Sequence, residues 1–208
     1  MGKKLTARRI WPDVARLLQK RREFRDIRDP NVASSVTAFL AWKAFLIVVR
    51  GSATGDEKDQ CREVVTRALV EFPILWENAE HFVKSLRPLQ SQSANVVGDW
   101  YAEPSWTEAQ TKGRVAWATR SIGRLHEAMT RKDHRETFAG EIAEHAYAIR
   151  SAVLAHGAVH STGNLFQLIV PRFEDFVARV ACAGYAHRAQ LPLKEAYEEC
   201  NVGIITET

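Results

Sequence analysis

The chain has 208 residues, of which 46% are apolar and 26% charged, with eleven glycines and seven prolines. That is globular usage with length enough for one buried core, and it excludes a disordered chain, a collagen and a disulfide-stapled miniprotein. The net charge of +4 is concentrated: residues 1–28 hold ten Lys or Arg against three acids, while the whole chain holds 29 against 25.

The first predicted element is this basic N-terminal helix or arm, residues 1–30. Val14, Leu17 and Leu18 fit one helical stripe, which Phe24 and Ile27 continue loosely. Asp29-Pro30-Asn31 should break it, because the residue before a proline is turned out of the helical region. Ser34-Ser35 is then expected to cap a helix over 36–49, VTAFLAWKAFLIVV, which is apolar nearly all round and so belongs at the centre of the fold. Its longest apolar run, 38–49, is interrupted by Lys43 and falls short of the ~18–20 residues of a membrane span. The N-terminus lacks a secretory pattern, and Cys61, Cys182 and Cys200 form no CxxC pair. The expectation is a cytoplasmic protein with no membrane partner.

GSATG, residues 51–55, reads as a loop, and Asp56 as the N-cap of a helix running to about Phe72. Pro73 fits the first turn of another, which stops before Pro88. Residues 88–104 lack a helical period and are expected to be irregular, either a cover or a lid. Within them Trp100 and Tyr101, with Trp106 just beyond, either pack locally or stack bases. Ser105 and Glu108 read as a capping box for a helix carrying Val115, Ala118, Ile122, Leu125 and Met129 on one face. Asp133 and Glu136 repeat the box pattern. The helix that follows has the stripe Ile142, Ala146, Ile149 and Val153 and should end near His156-Gly157. HSTGN, residues 160–164, is a turn. A last long helix spans about 165–189, with Pro171 inside it, and 191–208 is a tail whose final NVGIITET, residues 201–208, adds one short strand or stays loose. No segment alternates strictly, so the fold class is all-α: a bundle of five or six helices.

Phosphate loops and nucleophile elbows are absent from the sequence. Glu141, Glu144 and His145, or His156 and His160, offer single metal-ligand spacings without the repeat that a carboxylate-bridged bundle site uses, so no metal is expected. The informative stretch is YAIRSAVLAHGAVHSTGN, residues 147–164. Arg150 interrupts an apolar helix, and His156 follows it by six residues, about 9 Å of helical rise. An Arg grips phosphate with a planar charged fork, and a His passes protons at neutral pH. Together they suit metal-free RNA cleavage, in which the ribose 2′-OH is the nucleophile. The plainer reading of the same residues is an Arg paired to a nearby Glu and a His near a helix C-terminus.

Arg150-Ser-Ala-Val-Leu-Ala-His156-Gly157 resembles the Arg-x(4–6)-His signature of HEPN domains (higher eukaryotes and prokaryotes nucleotide-binding). AFLAWKAFLIVVRG, residues 38–51, is similar to the helix that opens several bacterial HEPN families, and the LIVPRFEDFVARVA helix also fits. Ser151 stands where many members carry an amide, and Leu46 where the opening helix often carries Asn. The resemblance touches both ends of residues 36–190 and agrees with the helix count between them; it implies a HEPN-like helical domain over 31–190 that dimerises and cuts single-stranded RNA without metal or other cofactor, leaving a 2′,3′-cyclic phosphate. It implies Arg150 as the phosphate-stabilising cation and His156 as the acid/base, with Ser151 and His160 as substrate contacts. Arg21, Arg22 and Arg25 would track the RNA backbone by charge. The implied setting is a toxin–antitoxin or anti-phage defence system with an antitoxin or other partner protein. The alternative is a non-catalytic HEPN-like module that binds nucleotide, RNA or a partner.

Overall fold

A computed structural model describes residues 13–50, 55–131, 135–154 and 164–203. Among them are nine α-helical segments and no strand. They are α1 (13–20), α2 (Pro30–Arg50), α3 (Glu57–Glu71), α4 (Leu75–Leu86), α5 (Ala94–Tyr101), α6 (Glu108–Arg131), α7 (Ala139–Leu154), α8 (Asn164–Ala189) and α9 (Leu193–Glu199). Short 3-10 turns lie at Arg21–Phe24, Arg87–Ser91 and Arg135–Phe138. The all-α reading holds.

Helix α2 packs along α8, and these two form the centre. Their contact is close because Gly184 has no side chain: a Cβ there would stand 2.3 Å from Val48 Cγ1. Aromatic rings fill the space around the pair. Trp42 meets Phe45 at 4.9 Å and Phe173 at 6.1 Å between centroids, and Phe82 of α4 stacks on Phe176 at 5.5 Å. Helices α3 and α7 pack together on one side, and α5 packs on both α6 and α7.

Several boundaries differ from expectation. Helix α2 begins at Pro30, not near Val36, because Asp29 is the cap: its Oδ1 accepts from the amides of Asn31 at 2.8 Å and Val32 at 3.2 Å. Proline suits a first helical position, where its missing N–H has no partner to lose. With those extra residues α2 is long and apolar enough to cross a membrane by length and composition, with a mean hydropathy of 1.9. Here the same residues make a core helix. The 88–104 stretch is mostly helical: a 3-10 turn, then α5 capped by Ser93. The capping box of α6 is Thr107 with Gln110, two residues beyond the expected pair. Gln110 Oε1 accepts from the Thr107 amide at 2.8 Å, and Thr107 Oγ1 from the Gln110 amide at 3.3 Å.

The C-terminal segment is also packed as far as it is described. Gln190 and Asn201 take left-handed φ values of 56° and 54°, and the following amides close back onto Ala186 and Tyr197 carbonyls at 3.0 and 2.9 Å, the arrangement that ends helices with a reversal. Arg179 Nη1 donates to the Gly203 carbonyl at 2.8 Å, and Tyr197, Cys200 and Val202 are buried. Expectations placed on 1–12, 51–54, Asp133, 155–163 and 204–208 lie outside the described residues.

Candidate functional site

Helix α7 buries Ile142, Ala146, Ile149 and Val153 along the predicted stripe, which turns Arg150 toward α3. There Asp56 caps the helix, accepting from the Asp59 amide at 2.8 Å, and so fixes Glu57 in the first turn. The Arg150 guanidinium reaches Glu57 Oε1 at 2.5 Å. It also donates to Ser151 Oγ at 3.3 Å and lies over the rings of Tyr147 and Trp42, 5.0 and 5.4 Å from their centroids. Ser151 in turn donates to the Tyr147 carbonyl at 3.2 Å. The Arg150 side chain keeps 22% of its surface open. It is a positioned, partly solvated cation with one carboxylate partner. Beneath it the Cys61 thiol is pushed up to about 12 by burial and by Glu57, against the opposing pull of Arg150, so it stays protonated and is no nucleophile.

Beside Arg150 an open groove runs between α3, α5, α6 and α7, with Lys58, Trp106, Arg114, Tyr147 and Ser151 in its lining. Lys58 Nζ and Arg114 Nη1 share Glu144 Oε1 at 3.0 and 2.7 Å. Burial acts to raise the Glu144 carboxyl, and the hydrogen bonds from Arg114 and Lys58 outweigh it, holding it below the ordinary value. Arg114 stacks over Trp117 at 3.9 Å.

Behind the groove a polar chain crosses the core. Tyr101 Oη lies 2.7 Å from His145 Nδ1, His145 Nε2 lies 2.9 Å from Ser121 Oγ, and Ser121 donates to Glu141 at 2.5 Å. The carboxylate can only accept, so the Ser121 hydrogen belongs to it. His145 Nε2 must then donate to Ser121, and Nδ1 accepts from Tyr101. Trp117 stacks on the imidazole at 4.8 Å. Burial, with help from Arg114, drives His145 down to about 3, which keeps it neutral. Thus Glu141, Glu144 and His145 do not converge on one point: Glu144 is held by Lys58 and Arg114, while Glu141 and His145 are bridged by Ser121. Among the described residues no group of three or more His, Cys, Asp or Glu could hold a metal.

The structure brings Arg150 and Ser151 together, while His156 and His160 lie outside the described residues. The basic arm needs correction. Arg21 is 2% exposed and ion-paired to Glu174 of α8, with its Nε on the Leu18 carbonyl at 3.3 Å. It is a core cation with no surface for a nucleic acid; burial lowers its pKa and raises that of Glu174. Arg22 and Arg25 are exposed, and Arg25 borders a second groove with Arg172 and Asp175. The groove cations Lys58 and Arg114 were not predicted. Their signal is long-range, since both are identified only by meeting Glu144. Comparison with protein-family models, with curated proteins and with solved structures gave no match.

Proposed function

We propose that the chain is a metal-independent endoribonuclease of HEPN type, acting on single-stranded RNA as a homodimer in a toxin–antitoxin or defence setting. Arg150 holds the scissile phosphate, and His156 moves the proton. The 2′ oxygen attacks phosphorus, the bond to the 5′ oxygen breaks, and the proton lost by the 2′-OH is matched by one gained by the leaving 5′ oxygen. Ser151 and His160 contact the substrate. Of Arg21, Arg22 and Arg25, the last two are exposed and track the phosphate backbone.

The observation that carries this reading is Arg150 itself, a guanidinium near the end of α7, partly open and aligned by Ser151, Tyr147 and Trp42. A second reading, an RNA-binding bundle that does not cut, draws on the Glu57 carboxylate, which occupies the fork a phosphate would use. The test is incubation of the purified chain with single-stranded RNA in EDTA, alongside His156→Ala and Arg150→Ala. The nuclease reading expects cleavage by the parent chain and loss in both variants, with their helical content retained. Cleavage by His156→Ala at the parent rate overturns the role of His156. Salt-sensitive binding without any product favours the second reading.

A further inference from the structure

The groove beside Arg150 has the chemistry of a nucleotide site. Trp106, half-buried at its rim, is set by a turn in which its amide donates to the Glu103 carbonyl at 3.0 Å. Tyr147 lines the same groove. Aromatic faces of this kind take nucleobases of any sequence by stacking. At the groove's charged edge two cations, Lys58 and Arg114, bear on the single carboxylate of Glu144, and Glu103 is a second acid in the lining, so the charges balance two against two. The Lys58 side chain is 49% exposed, and an ammonium has three donors, so contact with Glu144 leaves capacity for an anion.

A second observation is independent of that charge count. Two lining side chains, Trp100 and Arg114, each carry a buried N–H, Nε1 and Nε, with no acceptor in the protein. Buried donors are ordinarily paired. The groove is also continuous with Arg150, because Ser151 lines it and accepts from Arg150 Nη1 at 3.3 Å.

We infer that this groove binds one nucleotide, with its base on Trp106 and Tyr147 and its phosphate at Lys58 and Arg114. The inference rests on the RNA-cleavage reading and gives it a subsite, the nucleotide next to the scissile phosphate. It calls for base and phosphate together, which separates it from a bare anion site.

Calorimetric titration of the full chain with adenosine 5′-monophosphate, adenosine and inorganic phosphate tests it. The monophosphate should bind, and adenosine and phosphate should each bind at least about tenfold more weakly. Trp106→Ala should weaken the monophosphate about five- to 150-fold, the loss expected for one stacked base, while Trp106→Phe retains most of the affinity. Lys58→Gln, at an exposed position, should weaken the monophosphate and leave adenosine unchanged. No binding of the monophosphate at millimolar concentration overturns the inference, as does equal affinity for inorganic phosphate or indifference to both Trp106→Ala and Lys58→Gln. RNA cleavage without monophosphate binding overturns the groove alone; monophosphate binding without RNA cleavage overturns the nuclease reading alone.

Discussion

The carboxylate of Glu57 and the guanidinium of Arg150 meet at 2.5 Å across 93 residues of sequence. Neither is fully buried, at 35% and 22% side-chain exposure, so the pair is an exchangeable contact and not a locked one. Solvent-exposed pairs contribute ~0.2–1 kcal/mol, which sets the lower scale for this part-buried one. On the proposed reading, a phosphate arriving at Arg150 would displace Glu57, which holds the guanidinium in place until then.

Glu57→Gln removes the competing charge and keeps the shape. RNA affinity, read by fluorescence anisotropy, should tighten about 1.4- to 5-fold. Weaker binding in the variant would mean that Glu57 orients Arg150 more than it competes for it.

The Gly184–Val48 approach predicts a steric cost. Gly184→Ala places a Cβ 2.3 Å from Val48 Cγ1, and overpacking of a buried contact costs about 1–3 kcal/mol. Denaturant unfolding should show that loss, and Val48→Ala in the same chain should recover part of it. A neutral Gly184→Ala would show that α2 and α8 can part freely.

His145 sets a pH dependence. It is neutral in the fold, with a pKa of about 3, whereas an unfolded chain protonates it near 6.5. The unfolded state thus takes the proton first. Stability contributed by the neutral imidazole is complete above about pH 6.5 and falls by up to about 1.4 kcal/mol per pH unit on acidification toward 3. His145→Gln should lower stability at pH 7 and flatten the profile between about pH 6.5 and 5. An unchanged slope would place the imidazole in contact with water.

All three cysteines are buried free thiols. Burial raises the pKa of both Cys61 and Cys182, and for Cys182 the neighbouring Cys200 adds to it. Alkylation should therefore be negligible in the folded chain at pH 8 and stoichiometric in denaturant. Rapid labelling of one thiol under native conditions would contradict the packing of α3 or of the α8–α9 contact.

Local signals in the sequence are legible where one residue type settles the structure. Asp56 caps α3, the α7 stripe is buried as spaced, and the α6 stripe is buried except for Val115, which is partly so. Pro30 opens α2 instead of breaking a helix, because Asp29 before it is a good cap. In the 88–104 stretch the signal was present and short: Val97, Trp100 and Tyr101 recur at three and four residues, and all three are buried. Arg21 could also have been found. It follows Val14 and Leu18 by seven and three residues, on their buried face, but the surrounding run of bases concealed it. Glu57, Lys58 and Arg114 left no trace in the sequence, because each owes its role to a partner on a distant helix.

The chemistry of the RNA ends tests the proposed reaction most directly. Single-stranded RNA treated with the purified chain in EDTA should yield 5′ fragments ending in a 2′,3′-cyclic phosphate and 3′ fragments beginning with a 5′-hydroxyl, as read by mass spectrometry, and His156→Ala should yield neither. Intact RNA after treatment with the parent chain, or fragments carrying a 5′-phosphate, would contradict transesterification by Arg150 and His156.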